Sequence, residues 1–206
     1  MRGFGSGCRR TVTIGFVEAV PSFVLEIRFQ EVDHRWRSKR AQYGRRYQKL
    51  SVAKMSDRAF MLASAREFIG QEIAVSDWFE VTQSLIDEFA DLTDDHQWIH
   101  QEGPAALAGP FGGPIAHGLL LLSLTTRLAR DSGVFPTDAR SCVIYGYEKI
   151  RFQTAVRTGK RVRCRTTILK VEGLGARVVL TVRFKVEGEG ETLPALVADC
   201  ILVAMP

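Results

Sequence analysis

Two rhythms of apolar positions organise this chain of 206 residues from about residue 57 onward. In the first, Phe60, Leu62, Ala65, Phe68 and Ile69 are spaced for a short helix that Gly70 ends, and extended pieces are expected at 72–75 and 78–81. Thr82 stands where an N-cap belongs. Behind it Leu85, Ile86, Phe89, Ala90 and Leu92 recur at helical spacing with Asp87 and Glu88 toward water, which predicts a helix ending near Thr93. Residues 101–114 end in Gly109-Pro110-Phe111-Gly112-Gly113-Pro114, so a tight loop without regular structure is expected there. From Ile115 to Ala129 the residues are almost wholly apolar or small. A helix of that kind is buried on most sides and belongs at the centre of the fold.

Farther along, the period drops to two. Val178, Leu180, Val182, Phe184 and Val186 alternate with Val179, Thr181, Arg183 and Lys185, the signature of a half-buried strand. Similar stretches cover 143–152, 161–172 and 194–204, with turns at Thr158-Gly159-Lys160, Gly173-Leu174-Gly175 and Gly188-Glu189-Gly190. One buried helix followed by long antiparallel strands predicts an α+β domain whose sheet wraps the helix.

Composition allows one well-buried core, with 46% hydrophobic and 25% charged residues. The net charge of +5 is unevenly placed: residues 1–54 hold 12 Lys and Arg against 4 Asp and Glu, and the remainder 16 against 19. A basic extension of +8 thus precedes a body of −3. Its cluster His34-Arg35-Trp36-Arg37-Ser38-Lys39-Arg40 has the look of a nucleic-acid arm, and its Arg-rich character that of a transit peptide. The preferred expectation is plainer: 1–54 is disordered or an over-extended start, translation beginning at Met55, although Phe23–Phe29 has a strand-like pattern. No nucleic-acid partner is expected for the body. The apolar run Leu119–Leu124 is about a third of the roughly 18 residues that span a bilayer, so no integral membrane protein is expected. Cys8, Cys142, Cys164 and Cys200 form no paired motif, which fits a reducing cytoplasm.

The densest polar cluster is Thr93-Asp94-Asp95-His96-Gln97-Trp98-Ile99-His100, where a helix gives way to a loop. One turn of chain brings Asp95 and His100 together, and a carboxylate with an imidazole supplies a base and an acid near neutral pH. The same residues also serve as solvated or capping groups in many loops. His96 and His100 with Asp95 offer a metal alternative, but no third His or Glu stands at a supporting spacing, and neither metal nor cofactor is expected. For His117 a hydrogen-bonded structural role is the default. Gly118, opening the buried helix, either lends its unpaired N–H to a developing oxyanion or simply lets the loop turn.

The two stretches together, with Tyr145-Gly146-Tyr147-Glu148-Lys149-Ile150-Arg151-Phe152, resemble the MaoC-like dehydratases, also called R-specific enoyl-CoA hydratases, in the branch similar to nodulation protein N. The resemblance covers about residues 72–204. It implies a hot dog fold, a long central helix wrapped by an antiparallel sheet, and a homodimer. It also implies reversible hydration of trans-2-enoyl thioesters, carried on coenzyme A or acyl carrier protein, within residues 55–206. Asp95 and His100 match the family's catalytic pair, Gly118 the glycine whose N–H holds the thioester oxygen, and Thr126 a hydroxyl that orients the carboxylate. Lys149, Arg151 and Arg161 are candidate phosphate contacts. The family's loop runs Gly-Asp-x-Asn-Pro-x-His, so Asp94, Gln97 and Trp98 are departures, with Gln97 and Trp98 beside the substrate. Two rivals share the scaffold. A thioesterase needs a carboxylate on the central helix, where Leu119–Arg130 has none, and a non-catalytic acyl-binding module is the other.

Overall fold

The computed structural model describes residues 60–174 and 177–206. The basic extension, the strand-like 23–29 and the Met55 start lie outside the described residues. The strands are β1 (Glu72–Val75), β2 (Phe79–Glu80), β3 (Ser141–Phe152), β4 (Arg161–Leu174), β5 (Arg177–Gly188) and β6 (Pro194–Met205). The α-helices are α1 (Gln83–Thr93), α2 (Pro104–Ala108) and α3 (Gly118–Asp131), and 3-10 turns cover Leu62–Phe68 and Trp98–His100.

β5 shows why the sheet forms. Leu180, Val182, Phe184 and Val186 are buried, with Arg183 and Lys185 more open between them, so one face is apolar. β4 and β6 flank β5, giving the order β1-β4-β5-β6-β3 with β2 beside β4, all antiparallel. Leu120, Leu121, Leu124, Leu128 and Ala129 of α3 share one core with Val162, Cys164 and Ile168 of β4, Phe184 of β5, and Leu196, Ala198 and Cys200 of β6. Each leucine so buried contributes about 2 kcal/mol of apolar transfer. The expected α+β arrangement, a sheet against one long helix, is what forms.

Three local expectations change. Residues 101–114 are not devoid of structure, because Pro104 sits at the first helical position and Ala105, Ala106, Leu107 and Ala108 carry one turn before Gly109. The central helix starts at Gly118 rather than Ile115. The Ile115 and Ala116 N–H groups are already engaged with Ile99 O at 2.9 Å and Val156 O at 2.8 Å, which holds the chain extended up to His117. Leu92 is exposed, since it stands six residues after Ile86, about 120° away round α1. Thr82 caps α1 as expected, its Oγ1 accepting from the Leu85 N–H at 3.3 Å.

β3 is an edge strand. None of its residues is fully buried, and Ile144, Tyr145 and Phe152 are exposed. Glu187 of β5 gathers Arg163, Arg165 and Lys185 on the outer face of the sheet. Burial alone would raise its carboxyl, but hydrogen bonds from Arg165, Lys185 and Arg163 bring it down to about 2.

Candidate active site

The end of α1 sets Asp95. Asp94 takes the left-handed conformation, φ 55° and ψ 30°, and the N–H groups of Asp94 and Asp95 both turn back to Ala90 O, the latter at 3.1 Å. The family loop that this sequence resembles has glycine here. Asp tolerates the left-handed region better than most residues, at a cost of about 1 kcal/mol relative to glycine. The departure at Asp94 therefore keeps the turn. Downstream, Gln101 Nε2 donates to His96 O at 2.9 Å and Gln83 Nε2 to His100 O at 2.8 Å, tying the 3-10 turn to the start of α1.

His100 is 6% exposed, and its Nδ1 lies 2.7 Å from Ile115 O. A carbonyl only accepts, so Nδ1 carries the hydrogen and Nε2 keeps its lone pair. Burial lowers the pKa of this imidazole below its ordinary 6.5, the hydrogen bond to Ile115 opposes that, and His117 lowers it further. His100 is thus neutral at pH 7. Asp95 is more open, its side chain 39% exposed. Gln97 Nε2 donates to its Oδ1 at 3.0 Å, and that bond is the largest influence holding the carboxyl below 3.8.

His117 joins them. It is 3% exposed, its Nε2 lies 3.0 Å from Asp95 O and 4.0 Å from Asp95 Oδ2, and its ring stacks on His100 with centroids 3.6 Å apart and planes 25° apart. Phe89 of α1 closes the other side, 5.0 Å between centroids. The ligating atoms of Asp95, His100 and His117 lie within 4.8 Å of one another. Nearly parallel imidazoles aim their lone pairs side by side, whereas one ion bound at about 2.1 Å needs them to converge. Two acceptors sharing one water through hydrogen bonds of about 2.8 Å stand roughly 4.4 Å apart, which this spacing suits. His96, the ligand of the alternative reading from sequence, points away, 44% exposed and 3.6 Å from Asp91.

Gly118 opens α3, where backbone N–H groups lack intrahelical partners and the dipole is positive. A Cβ at Gly118 would lie 3.0 Å from the Phe152 ring, so glycine lets the end of β3 close over the helix start. Thr126 stands eight residues farther along α3, half-buried, and makes no hydrogen bond to Asp95 among the described residues. Trp98 is 49% exposed and packs on the end of α2, where a Cβ at Gly109 would meet its ring at 2.7 Å. Of the candidate phosphate contacts, Arg161 is engaged by Glu189 and the Arg151 guanidinium donates to Ile150 O at 2.8 Å. Sequence reasoning missed that His117, Phe89 and Phe152 gather about these residues. Only Ala116-His117-Gly118 carried a signal, since Phe89 and Phe152 reach the site through the fold.

Residues 64–189 match the family described as MaoC like domain. The chain is 42% identical over 145 residues to 3-hydroxyacyl-thioester dehydratase Z of Mycobacterium tuberculosis, covering 70% of this chain and 93% of that protein. It is 40% identical over 144 residues to nodulation protein N of Rhizobium leguminosarum bv. viciae, covering 69% and 89%. In fold it is similar to the MaoC-like dehydratase from Rhodospirillum rubrum, with a TM-score of 0.57 and 23% identity over 66% of this chain and 92% of that one.

Proposed function

Because the chain belongs to the MaoC-like dehydratase family and has its hot dog fold, we propose that it hydrates trans-2-enoyl thioesters reversibly to 3-hydroxyacyl thioesters. The substrate is carried on coenzyme A or acyl carrier protein. The observation that supports this most is the pairing of two acceptors, the Asp95 carboxylate and the lone pair left on His100 Nε2 by the hydrogen bond from Nδ1 to Ile115 O.

One water donates a hydrogen to each acceptor and turns an oxygen lone pair toward the β-carbon. As the C–O bond forms, the water's proton moves to His100 Nε2 and the C=C electron pair shifts toward the thioester. The Gly118 N–H donates to the enolate oxygen that results, aided by the α3 dipole. The imidazolium then returns the proton to the α-carbon on the same face. H and OH have been added across the double bond, and both side chains are restored. Gln97, though one methylene longer than the family's asparagine, still reaches Asp95, and Trp98 flanks the acyl path.

A thioesterase reading fares worse. The carboxylate of α3 is Asp131 at its last turn, held by Arg127 and Arg130. Among the described residues no helix is long and apolar enough to cross a membrane, and the free thiols of Cys142, Cys164 and Cys200 fit the cytoplasmic setting proposed here. Loss of enoyl absorbance with crotonyl-CoA and longer chains tests the reading. Turnover on coenzyme A or carrier-protein thioesters is expected; binding without turnover on either would replace it with the acyl-binding module.

A further inference from the structure

We infer that His117 is a positioning residue for the Asp95–His100 pair, holding both partners from the start of α3. The inference rests on the hydratase reading only for its kinetic consequences, because the contacts themselves are independent of any reaction.

His117 occupies the N-cap of α3, and Leu121 N–H bonds its carbonyl at 3.2 Å. Ser, Thr, Asp or Asn at such a position turns its side chain onto the helix's free N–H groups. His117 makes no such cap bond. Its Nε2–H instead reaches back 22 residues to Asp95 O at 3.0 Å, while its ring lies flat on His100. Its Nδ1 is buried without a hydrogen-bond partner, an arrangement that costs stability. A residue chosen for helix capping or for core packing would avoid that cost. What this placement does achieve is a fixed distance between the main chain of Asp95 and the imidazole of His100, next to the Gly118 N–H.

The stack also acts on protonation. The titratable groups bearing on His100 are His117 from the α3 end and Asp95 from the loop, while α1 presents Phe89 to the His117 ring and the neutral Gln83 amide to the His100 carbonyl. A second imidazole at 3.6 Å disfavours a positive charge on His100, and Asp95 favours it. Burial holds the His100 pKa down most, and removing His117 takes away the further lowering that it adds. His100 then protonates at higher pH.

The test uses the full chain with His117→Phe, which keeps a ring over His100, and His117→Gln, which keeps a donor for Asp95 O. The His100 imidazole is followed by NMR pH titration, assigned against His100→Ala, and kcat and KM are measured across pH. His117→Phe should raise the pH midpoint of His100 and move the acidic limb of kcat/KM upward with it. It should also lower kcat by about tenfold or more while KM stays within about twofold. His117→Gln should recover much of that kcat. An unmoved His100 midpoint, or a kcat within about twofold of the parent in His117→Phe, overturns the inference. A parent chain that turns over no enoyl thioester overturns the hydratase reading instead, and the NMR midpoint still decides the role of His117.

Discussion

The side-chain amide of Gln97 donates to Asp95 Oδ1 at 3.0 Å across two positions of the loop. Gln97 is the N-cap residue of the 3-10 turn, and its side chain makes no bond to that turn's own N–H groups. A residue that looks disruptive in sequence thus still places an amide donor on the Asp95 carboxylate. Gln97→Leu should leave Asp95 ionised at pH 7, with its carboxyl moved up toward 3.8, and reduce kcat by about tenfold through lost orientation. Gln97→Asn should keep most activity. Steady-state kinetics on the two variants decides between orientation and charge.

Asp95→Asn and His100→Ala should each abolish hydration. The double variant should be little worse than either, because the two side chains act on one water. Their stabilities should differ. Asp95 is open, so its variant should melt with the parent, whereas His100→Ala leaves Ile115 O unpaired in a buried site and should cost about 1–3 kcal/mol. The sequence alone, placing both residues in a loop, predicts an unaltered fold for both. Thermal melts of the two single variants check the difference.

Acid should act on rate and stability through the same imidazole. His100 has a pKa below 6.5 when folded and regains 6.5 when unfolded, so the unfolded chain binds the extra proton first. The stability that neutral His100 contributes is therefore complete above 6.5 and declines as pH falls from there through the folded value. Hydration should hold its plateau below pH 6.5 and fall only when the folded imidazole protonates. Denaturant titrations and kcat/KM at matched pH should show the stability loss beginning at higher pH than the rate loss.

A homodimer is expected through β3, the edge strand that exposes Ile144, Tyr145 and Phe152. An unpaired edge with apolar side chains is a template for a second copy. Sedimentation at micromolar concentration should give twice the 23.0 kDa chain mass, and Ile144→Lys should lower it. A single-chain mass for the parent would count against this pairing.

Residues 1–54 should be dispensable for the reaction. The residues of the site, from Phe89 onward, all lie far beyond residue 54, and Phe60, near the start of the described residues, is buried in the core with its carbonyl accepting from Thr137 N–H at 3.0 Å. A 55–206 chain should keep the parent's melting temperature and hydration rate, and lose non-specific affinity for nucleic acid. Insolubility or lost activity would place Phe23–Phe29 in the working fold.

What the sequence revealed follows from how local each cause was. Thr82, the strand at 72–75 and the alternation through β5 were legible because their determinants lie within a few residues. That Asp95 and His100 come close together was legible for the same reason. α2 was hidden because the glycines and prolines of 109–114 outweighed one helical turn just before them. The start of α3 depended on Ile99 and Val156, neither of which a periodicity can see. Phe152 meets Gly118 only through the fold, and His117 looks alike in sequence whether it packs or positions.

The edge position of β3 also bears on how the chain folds. The bonds that assemble the site join His100 to Ile115 and His117 to Asp95, 15 and 22 residues apart. The β3–β6 ladder instead joins pairs running from Phe152 with Leu196 to Ser141 with Met205, 44 to 64 positions apart. Closing the longer loops costs more entropy, so contacts of that separation form later than local ones. The loop that holds Asp95 and His100 can therefore order ahead of the β3–β6 ladder. A chain caught in that interval has Asp95, His100 and His117 together while β3, with Phe152, has yet to close over Gly118.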